Sequence, residues 1–478
     1  MSDHSTRFLK TKIVCTIGPA SSEPRVIKRL CEAGMNMARL NMAHGTPDQI
    51  RQLAQRLREN TSNLGRPVAL LADLQGPKIR LGDVPETIEL SPGQNVAFIS
   101  GEKRDGTDLP VTYTNFAEDL SAGDRILIDD GQVELLVRKI DPPRVEAEVV
   151  IGGPISKGKG INLPGVHVSA PPLTDKDLSD IDLALEIGVD YLGLSFVRRA
   201  SDIQQLRERI PDDILIIAKI EKDVALQDLD AILDASDAAM VARGDLGTEL
   251  PFEQVPLVQK RIVRLANSNY RPVIIATQML ETMIERPRPT RAEISDVANA
   301  ILDGTDAVML AAETAAGQYP VESVEALTRV IGEIESTTLM VQGPTYDVPA
   351  GVNDEGGPEP TEVAIAGATA EAVRVLHSPA IVTFTTSGFT ARVVSSRRPP
   401  VPIIAVTDTD RVYRQLSMVW GVLPVLCHLE QTYENMWASA RTELLRRGIA
   451  REGDRIVVTA GVPFHVSRTT NMVRIESL

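Results

Sequence analysis

Glu221 and Asp245 each close a short apolar run, in Ala218-Lys-Ile-Glu221 and Met240-Val-Ala-Arg-Gly-Asp245. Carboxylates are hard oxygen donors. One from each of two neighbouring strands could hold a divalent ion and leave positions for water and substrate, the pattern expected of magnesium. Lys219 precedes Glu221 by two residues, so on a strand both side chains fall on the same face. A cation beside a metal ligand suits an anionic substrate, where it could stabilise a transferring phosphoryl group or an enolate oxygen. The plainer account is a pair of carboxylates salt-bridged to Lys219 and Arg243. Gly244-Asp-Leu-Gly247 would open a short helical turn whose free amides could bind a carboxylate.

These residues need strands that end in one place. Short apolar, β-branched runs predict strands near Lys12–Ile17, Met35–Asn41, Val68–Asp73, Tyr191–Ser195, Ile214–Ile220, Ala238–Ala242, Val273–Ala276 and Ala307–Leu310. They lack strict polar alternation, as parallel strands buried on both faces do. Amphipathic helices such as Pro24–Ala33, Pro47–Asn60 and Ser201–Arg209 fall between them, and eight such units predict a (β/α)8 TIM barrel. The strand ends read Thr16-Ile-Gly-Pro19, Arg39-Leu-Asn41, Asp73, Ser195-Phe196, Lys219-Ile-Glu221, Arg243-Gly-Asp245, Thr277-Gln278 and Glu313-Thr314. One polar strand end is ordinarily a cap or turn residue. Eight of them, mixing cations and carboxylates, predict a polar catalytic mouth.

One gap breaks the rhythm, between Asp73 and Tyr191. Its middle predicts short strands at Thr87–Leu90, Asn95–Ser100, Arg125–Asp129, Glu134–Ile140 and Arg144–Val149. This reads as a small β-barrel domain inserted after the third barrel strand, where it would hang over the mouth as a lid. The Pro- and Gly-rich stretch Gln342–Pro360 reads as a linker. Beyond it, helices and strands alternate again, predicting an open α/β domain. The expected division is 1–75 and 172–344 for the barrel, 76–171 for the β lid and 345–478 for the C-terminal α/β regulatory domain.

Composition narrows the function classes. The 478 residues carry 50 Lys and Arg against 65 Asp and Glu, a net charge of −15, which argues against broad binding to nucleic acid or anionic membrane. Cys15, Cys31 and Cys427 are far apart and form no Cys-x-x-Cys, so neither a disulfide framework nor a zinc site is indicated. No apolar run approaches the roughly 20 residues of a membrane span, and the polar start is no secretory signal, so a cytoplasmic protein is expected. On the residues alone, a metal-dependent barrel lyase or aldolase and a non-catalytic metabolite sensor remain open beside a phosphotransferase.

Seven motifs in order carry a resemblance. They are Thr11-Lys-Ile-Val-Cys-Thr-Ile-Gly-Pro-Ala20, Gly34-Met-Asn-Met-Ala-Arg-Leu-Asn41, Lys157-Gly-Lys-Gly-Ile-Asn-Leu-Pro164, Ala218-Lys-Ile-Glu221, Met240-Val-Ala-Arg-Gly-Asp-Leu-Gly247, Ala276-Thr-Gln-Met-Leu280 and Arg286-Pro-Arg-Pro-Thr-Arg-Ala-Glu293. With them the chain resembles the pyruvate kinase family over essentially its whole length. The resemblance implies phosphate transfer from phosphoenolpyruvate to ADP, giving pyruvate and ATP in glycolysis, by a homotetramer. It implies that Lys219 balances charge on the moving phosphoryl group and that Arg39 contacts the same phosphate. Glu221 and Asp245 would bind Mg2+ or Mn2+, and a second Mg2+ would arrive with the nucleotide. Gly244, Asp245 and Thr277 would contact the substrate, with Thr277 beside the enolate carbon. Pro19, Asn41, His44, Arg80 and Lys159 would serve the nucleotide, Arg80 from the hinge and Lys159 from the closing lid.

Departures from the family pattern bear on cofactors and regulation. The family's monovalent-cation site draws on Asn-Phe-Ser-His and Asp-Thr-Lys-Gly-Pro-Glu. Here those stretches are Asn41-Met-Ala-His44 and Asp73-Leu-Gln-Gly-Pro-Lys78. Two hydroxyls are lost, at Ala43 and Leu74, and Lys78 puts a permanent positive charge where the family has Glu. The expectation is that Lys78 does electrostatically what K+ does elsewhere, so K+ is not required. The alternative is a Lys78 that merely solvates on the hinge. Gly153-Pro-Ile-Ser-Lys-Gly-Lys159 matches a P-loop by coincidence, because Gly160 and Pro164 exclude its Ser/Thr and helix. Thr385-Thr-Ser-Gly-Phe-Thr390 is a hydroxyl- and Gly-rich turn before a helix, which suits a phosphate or an ordinary cap. The resemblance makes Thr385, Thr386, Ser387, Gly388 and Thr390 an effector site for a sugar phosphate or nucleotide. The tail Gly461-Val-Pro-Phe-His-Val-Ser-Arg468 departs from the Gly-Trp-Arg-Pro-Gly of fructose-1,6-bisphosphate-regulated members, leaving the effector's identity open.

Overall fold

A computed structural model describes residues 8–62, 64–84, 86–101, 106–337, 360–427, 432–462 and 470–478. Eight strands form the central element: β1 (Lys12–Thr16), β2 (Met37–Asn41), β3 (Ala69–Asp73), β4 (Tyr191–Leu194), β5 (Leu215–Ile220), β6 (Ala238–Ala242), β7 (Val273–Ala276) and β8 (Ala307–Leu310). They pair in parallel in chain order and close on themselves where Lys12 of β1 meets Ala307 of β8.

Alternation along each strand sorts its side chains. Ile13, Cys15, Leu70 and Ile216 point outward into the layer shared with the helices, whereas Val14, Met37, Leu71 and Ile217 fill the interior. Two residues further along, the same inward face carries Thr16, Arg39, Asp73 and Lys219, so the strand period by itself delivers these groups to the barrel's upper layer. Tyr191 also points inward, and two residues on stands Gly193. A Cβ there would lie 3.0 Å from Asp73 Oδ1, so the missing side chain leaves room for that carboxylate. The helices that brace the ring start cleanly. Thr46, Thr174 and Thr290 each cap a helix in a reciprocal capping box, with Gln49, Asp177 and Glu293 as the returning side chains.

The segment after β3 forms two sheets. One has six strands in the order Ile161–Asn162, Arg125–Ile128, Val133–Asp141, Arg144–Ile151, Asn95–Ser100 and Leu109–Val111; the other pairs Gly153–Ile155 with Ile88–Leu90. They share one core around the tilted Phe98 and Phe116 rings, without closing into a second continuous hydrogen-bonded ring among the described residues. The P-loop-like stretch runs from one short strand to another and opens no helix.

The last unit is a five-stranded sheet of β9 (Ile381–Phe384), β10 (Ile403–Thr407), β11 (Val422–Leu426), β12 (Arg455–Ala460) and β13 (Met472–Ser477), ordered β11-β10-β9-β12-β13. The antiparallel edge strand β13 has no counterpart in the sequence expectation. This unit sits against the strand starts of the barrel. Met418 joins the barrel's interior cluster, Tyr191 donates to the Gln415 carbonyl (2.7 Å), and Lys12 donates to the Val422 carbonyl (2.8 Å). Most of the expected linker and most of the departing tail, residues 342–359 and 463–468, lie outside the described residues. Among the described residues no helix is long and apolar enough to cross a membrane.

Candidate active site

Lys219 is the centre of the rim. Its ammonium lies 2.9 Å from Glu221 Oε1 and 3.2 Å from Asp73 Oδ1, and it donates to Ser195 Oγ at 2.6 Å. Burial works against its charge, but Asp73 and Glu221 outweigh that and hold its pKa above the ordinary lysine value. Asp73 also receives Arg39, whose Nε donates to Oδ2 at 2.6 Å while Nη1 donates to Thr16 Oγ1 at 3.0 Å. Burial would raise the Asp73 pKa; the charges of Lys219 and Arg39 reverse this and pull it down. The two cations are thereby fixed side by side on one buried carboxylate, able to face a strongly anionic ligand.

Glu221 lies just past β5, and Asp245 lies on the helix Arg243–Glu249 that follows β6. The second Glu221 oxygen accepts the Phe196 amide at 2.8 Å. Burial raises the Glu221 pKa, and the charge of Asp245 adds to the rise against the pull of Lys219. Two carboxylates that repel across adjacent strand ends fit a divalent cation, whose charge relieves the repulsion and whose hardness suits oxygen. Among the described residues no cluster of three or more His, Cys, Asp or Glu forms, so water and substrate would complete such a coordination shell. Arg243 is not the partner of Asp245 that the salt-bridge account expected. Its Nη1 binds Asp296 at 2.6 Å, while Lys78 stands 3.4 Å from Asp245 Oδ1. The cause is direction: Arg243 opens the helix and turns toward the helix Arg291–Leu302 that follows β7.

Thr277 lies just past β7. Its hydroxyl accepts the Gly244 amide at 2.9 Å and donates to the Ala276 carbonyl at 2.6 Å, joining the Thr277 turn to the start of the Asp245 helix. The insert reaches the rim at Lys78: a Cβ on Gly160 would stand 3.2 Å from Lys78 Cε. A further contact, unforeseen in the sequence, joins Asn162 of the insert and Lys222 of the barrel to Glu249 Oε1, at 3.3 and 2.6 Å. Asp245 and Glu249 are four residues apart on one helix, a spacing that puts both on the same face and was the available signal.

The remaining expected site residues are more dispersed. Arg80 and Lys159 are neighbours within the insert, where Arg80 donates to the Gly158 carbonyl (2.9 Å) and Lys159 pairs with Asp129 (2.6 Å). Asn41 ends β2 and accepts the Ala43 amide at 3.1 Å; Pro19 and His44 are exposed at the ends of β1 and β2. Thr385, Thr386, Ser387, Gly388 and Thr390 lie together at the far end of β9. There Gly388, at φ +76°, begins the helix Phe389–Ser396, and the Thr390 hydroxyl meets that of Thr470 at 2.8 Å.

Fold and rim together define a barrel phosphotransferase. The models described as pyruvate kinase, barrel domain, and pyruvate kinase, alpha/beta domain, match residues 8–324 and 363–476. The chain belongs to the pyruvate kinase family. It is 42% identical over 472 residues to a pyruvate kinase of Mycobacterium tuberculosis, covering 98% of both chains. It is 43% identical over 475 residues to one of Geobacillus stearothermophilus, covering 98% of this chain and 80% of that one. A crystal structure of a pyruvate kinase from Cryptosporidium parvum superposes with a TM-score of 0.90 at 33% identity, over 98% of this chain and 96% of the other.

Proposed function

We propose that the chain moves the phosphoryl group of phosphoenolpyruvate to ADP at this rim, giving pyruvate and ATP as a cytoplasmic enzyme of glycolysis. The observation that carries the reading is Lys219, a buried ammonium kept charged between Asp73 and Glu221 and aimed with Arg39 into the barrel mouth. Phosphoryl transfer asks a protein mainly for positioning and for charge where the transferring group passes. Lys219 and Arg39 supply that charge, while Gly244, Asp245 and Thr277 orient the substrate. Glu221 and Asp245 would hold Mg2+ or Mn2+, which when bound supplies Lewis acidity toward the substrate oxygens; the second Mg2+ comes with the nucleotide. Pro19, Asn41, His44, Arg80 and Lys159 serve the nucleotide, the last two from an insert that acts as a lid and excludes water.

Three finer points belong to the same reading. Lys78 takes the electrostatic part of a monovalent cation, supported by its place beside Asp245 and by the missing hydroxyls at Ala43 and Leu74. The loop from Thr385 to Thr390 binds a phosphorylated effector, supported by its hydroxyls at a helix start. The division into barrel (1–75, 172–344), lid (76–171) and C-terminal domain (345–478) is retained, as is a homotetramer. A coupled assay for pyruvate from phosphoenolpyruvate, with and without ADP and Mg2+, tests the reading; absence of ADP-dependent turnover overturns it.

A further inference from the structure

Thr277 and Gln278 are consecutive non-glycine residues in the left-handed region, with φ of +67° and +56°. For a β-branched threonine this is a strained conformation. It persists only if neighbouring groups impose it. The Gly244 amide holds the Thr277 hydroxyl and Glu313 holds the Leu280 amide, but it is Arg243 that grips the backbone carbonyls of both strained residues. Its Nη2 donates to the carbonyls of both residues, at 2.7 Å for Thr277 and 3.1 Å for Gln278, and lies 2.9 Å from Met279 Sδ. Only 9% of its side chain is exposed, and its Nε is buried with no hydrogen-bond partner. Burying a guanidinium so tightly is costly unless it is paired, and the pairing comes from Asp296 on the helix Arg291–Leu302. The same helix holds the far side of the turn. Glu293 accepts both the amide and the hydroxyl of Thr282, at 2.7 and 2.6 Å.

We propose that Arg243, anchored by Asp296, is a positioning residue that holds Thr277 where the enolate carbon is protonated, so that this step and not phosphoryl transfer depends on it. The inference rests on the reading given above. In that reading the bond from phosphorus to the enol oxygen breaks, its electron pair stays on oxygen as an enolate, and a bond forms between phosphorus and the ADP oxygen. The enolate then re-forms C=O while its C=C pair takes a proton at the methylene carbon. The proton leaves a donor oxygen beside Thr277, which is reprotonated from water. Lys219, Arg39, Glu221 and Asp245 face the first step. Thr277 faces the second, and its backbone is in the grip of Arg243.

The two steps can be read separately on the full-length protein. ATP formed in a single turnover from phosphoenolpyruvate and ADP reports phosphoryl transfer. Exchange of the pyruvate methyl protons with D2O, in the presence of Mg2+ and ATP, reports protonation in reverse. Arg243→Lys keeps the charge but loses the planar fork that holds Asp296 through Nη1 and both carbonyls through Nη2. It is expected to slow methyl exchange by up to about 10²-fold while the ATP single turnover is unchanged. Asp296→Asn changes a half-exposed side chain away from the reacting atoms and is expected to shift the two rates apart in the same direction, so the test survives if Arg243→Lys fails to fold. Exchange that is unchanged, or that falls in parallel with ATP formation, overturns the positioning role. Wild-type protein that forms no ATP overturns the underlying reading itself.

Discussion

The Lys78 ammonium stands 3.4 Å from Asp245 Oδ1, with both side chains about a quarter exposed. The rim therefore carries a fixed cation beside one of its two candidate metal ligands. Turnover measured at constant ionic strength should be the same in Na+, K+ or tetramethylammonium salts. Activation by K+ of several tens of fold would sink the idea. Lys78→Glu should lower turnover in K+-free buffer, and added K+ should restore it poorly, because Ala43 and Leu74 offer no hydroxyl oxygen.

Removing the Lys219 charge should strike the chemical step. Lys219→Met is expected to reduce kcat by about 10³-fold or more, with a much smaller change in KM for phosphoenolpyruvate, because Arg39 keeps its hold on Asp73. A variant that loses KM but retains kcat would show that Lys219 only binds.

Glu221→Gln removes one of the two carboxylates while keeping side-chain size. The Mg2+ concentration for half-maximal activity should rise roughly tenfold or more, and excess Mg2+ should recover part of the rate. A metal titration curve identical to wild type would remove Glu221 from the ligand set.

Lys12 offers a test of stability away from the rim. Burial, partly offset by Glu335 and Asp306 and reinforced by Arg66, brings its pKa down from 10.5 to about 7. Between those values the unfolded chain holds a proton that the folded chain has released, so stability contributed by this group rises with pH, by at most about 1.4 kcal/mol per pH unit. Relative to Lys12→Met, wild-type protein should therefore gain in unfolding midpoint as pH goes from 7 to 10. Equal pH slopes in the two proteins would refute it.

The inward-facing residues were the legible part of the site. Lys219 and Glu221 are two apart at a strand end, and the period of a strand fixes their common face whatever the rest of the chain does. Partners across strands were less accessible, because they depend on how the barrel staggers. Asp73 reads in sequence as a remnant of a cation site, yet β2–β3 register, with Arg39 opposite Leu71, brings it two residues on into contact with both Arg39 and Lys219. Arg243 similarly turns from Asp245 to Asp296, 53 residues away. The helix Arg243–Glu249 forms despite two glycines, which disfavour it, and of the Asn162–Glu249–Lys222 contact, which joins three separate segments, only the Asp245–Glu249 spacing is local. Strand β13 went unforeseen because it is an exposed antiparallel edge and needs no apolar run.

Met418 belongs to the same interior cluster as Val14, Met37, Tyr191 and Ile217. The C-terminal unit thus contributes a side chain to the floor of the barrel's own core. Cutting the chain after residue 337 would uncover that cluster where Met418 covers it and strip the buried Asp306 of Arg398. A minimal enzyme drawn from the catalytic part of this molecule should therefore be less stable than the whole, and needs substitutes for Met418 and Arg398.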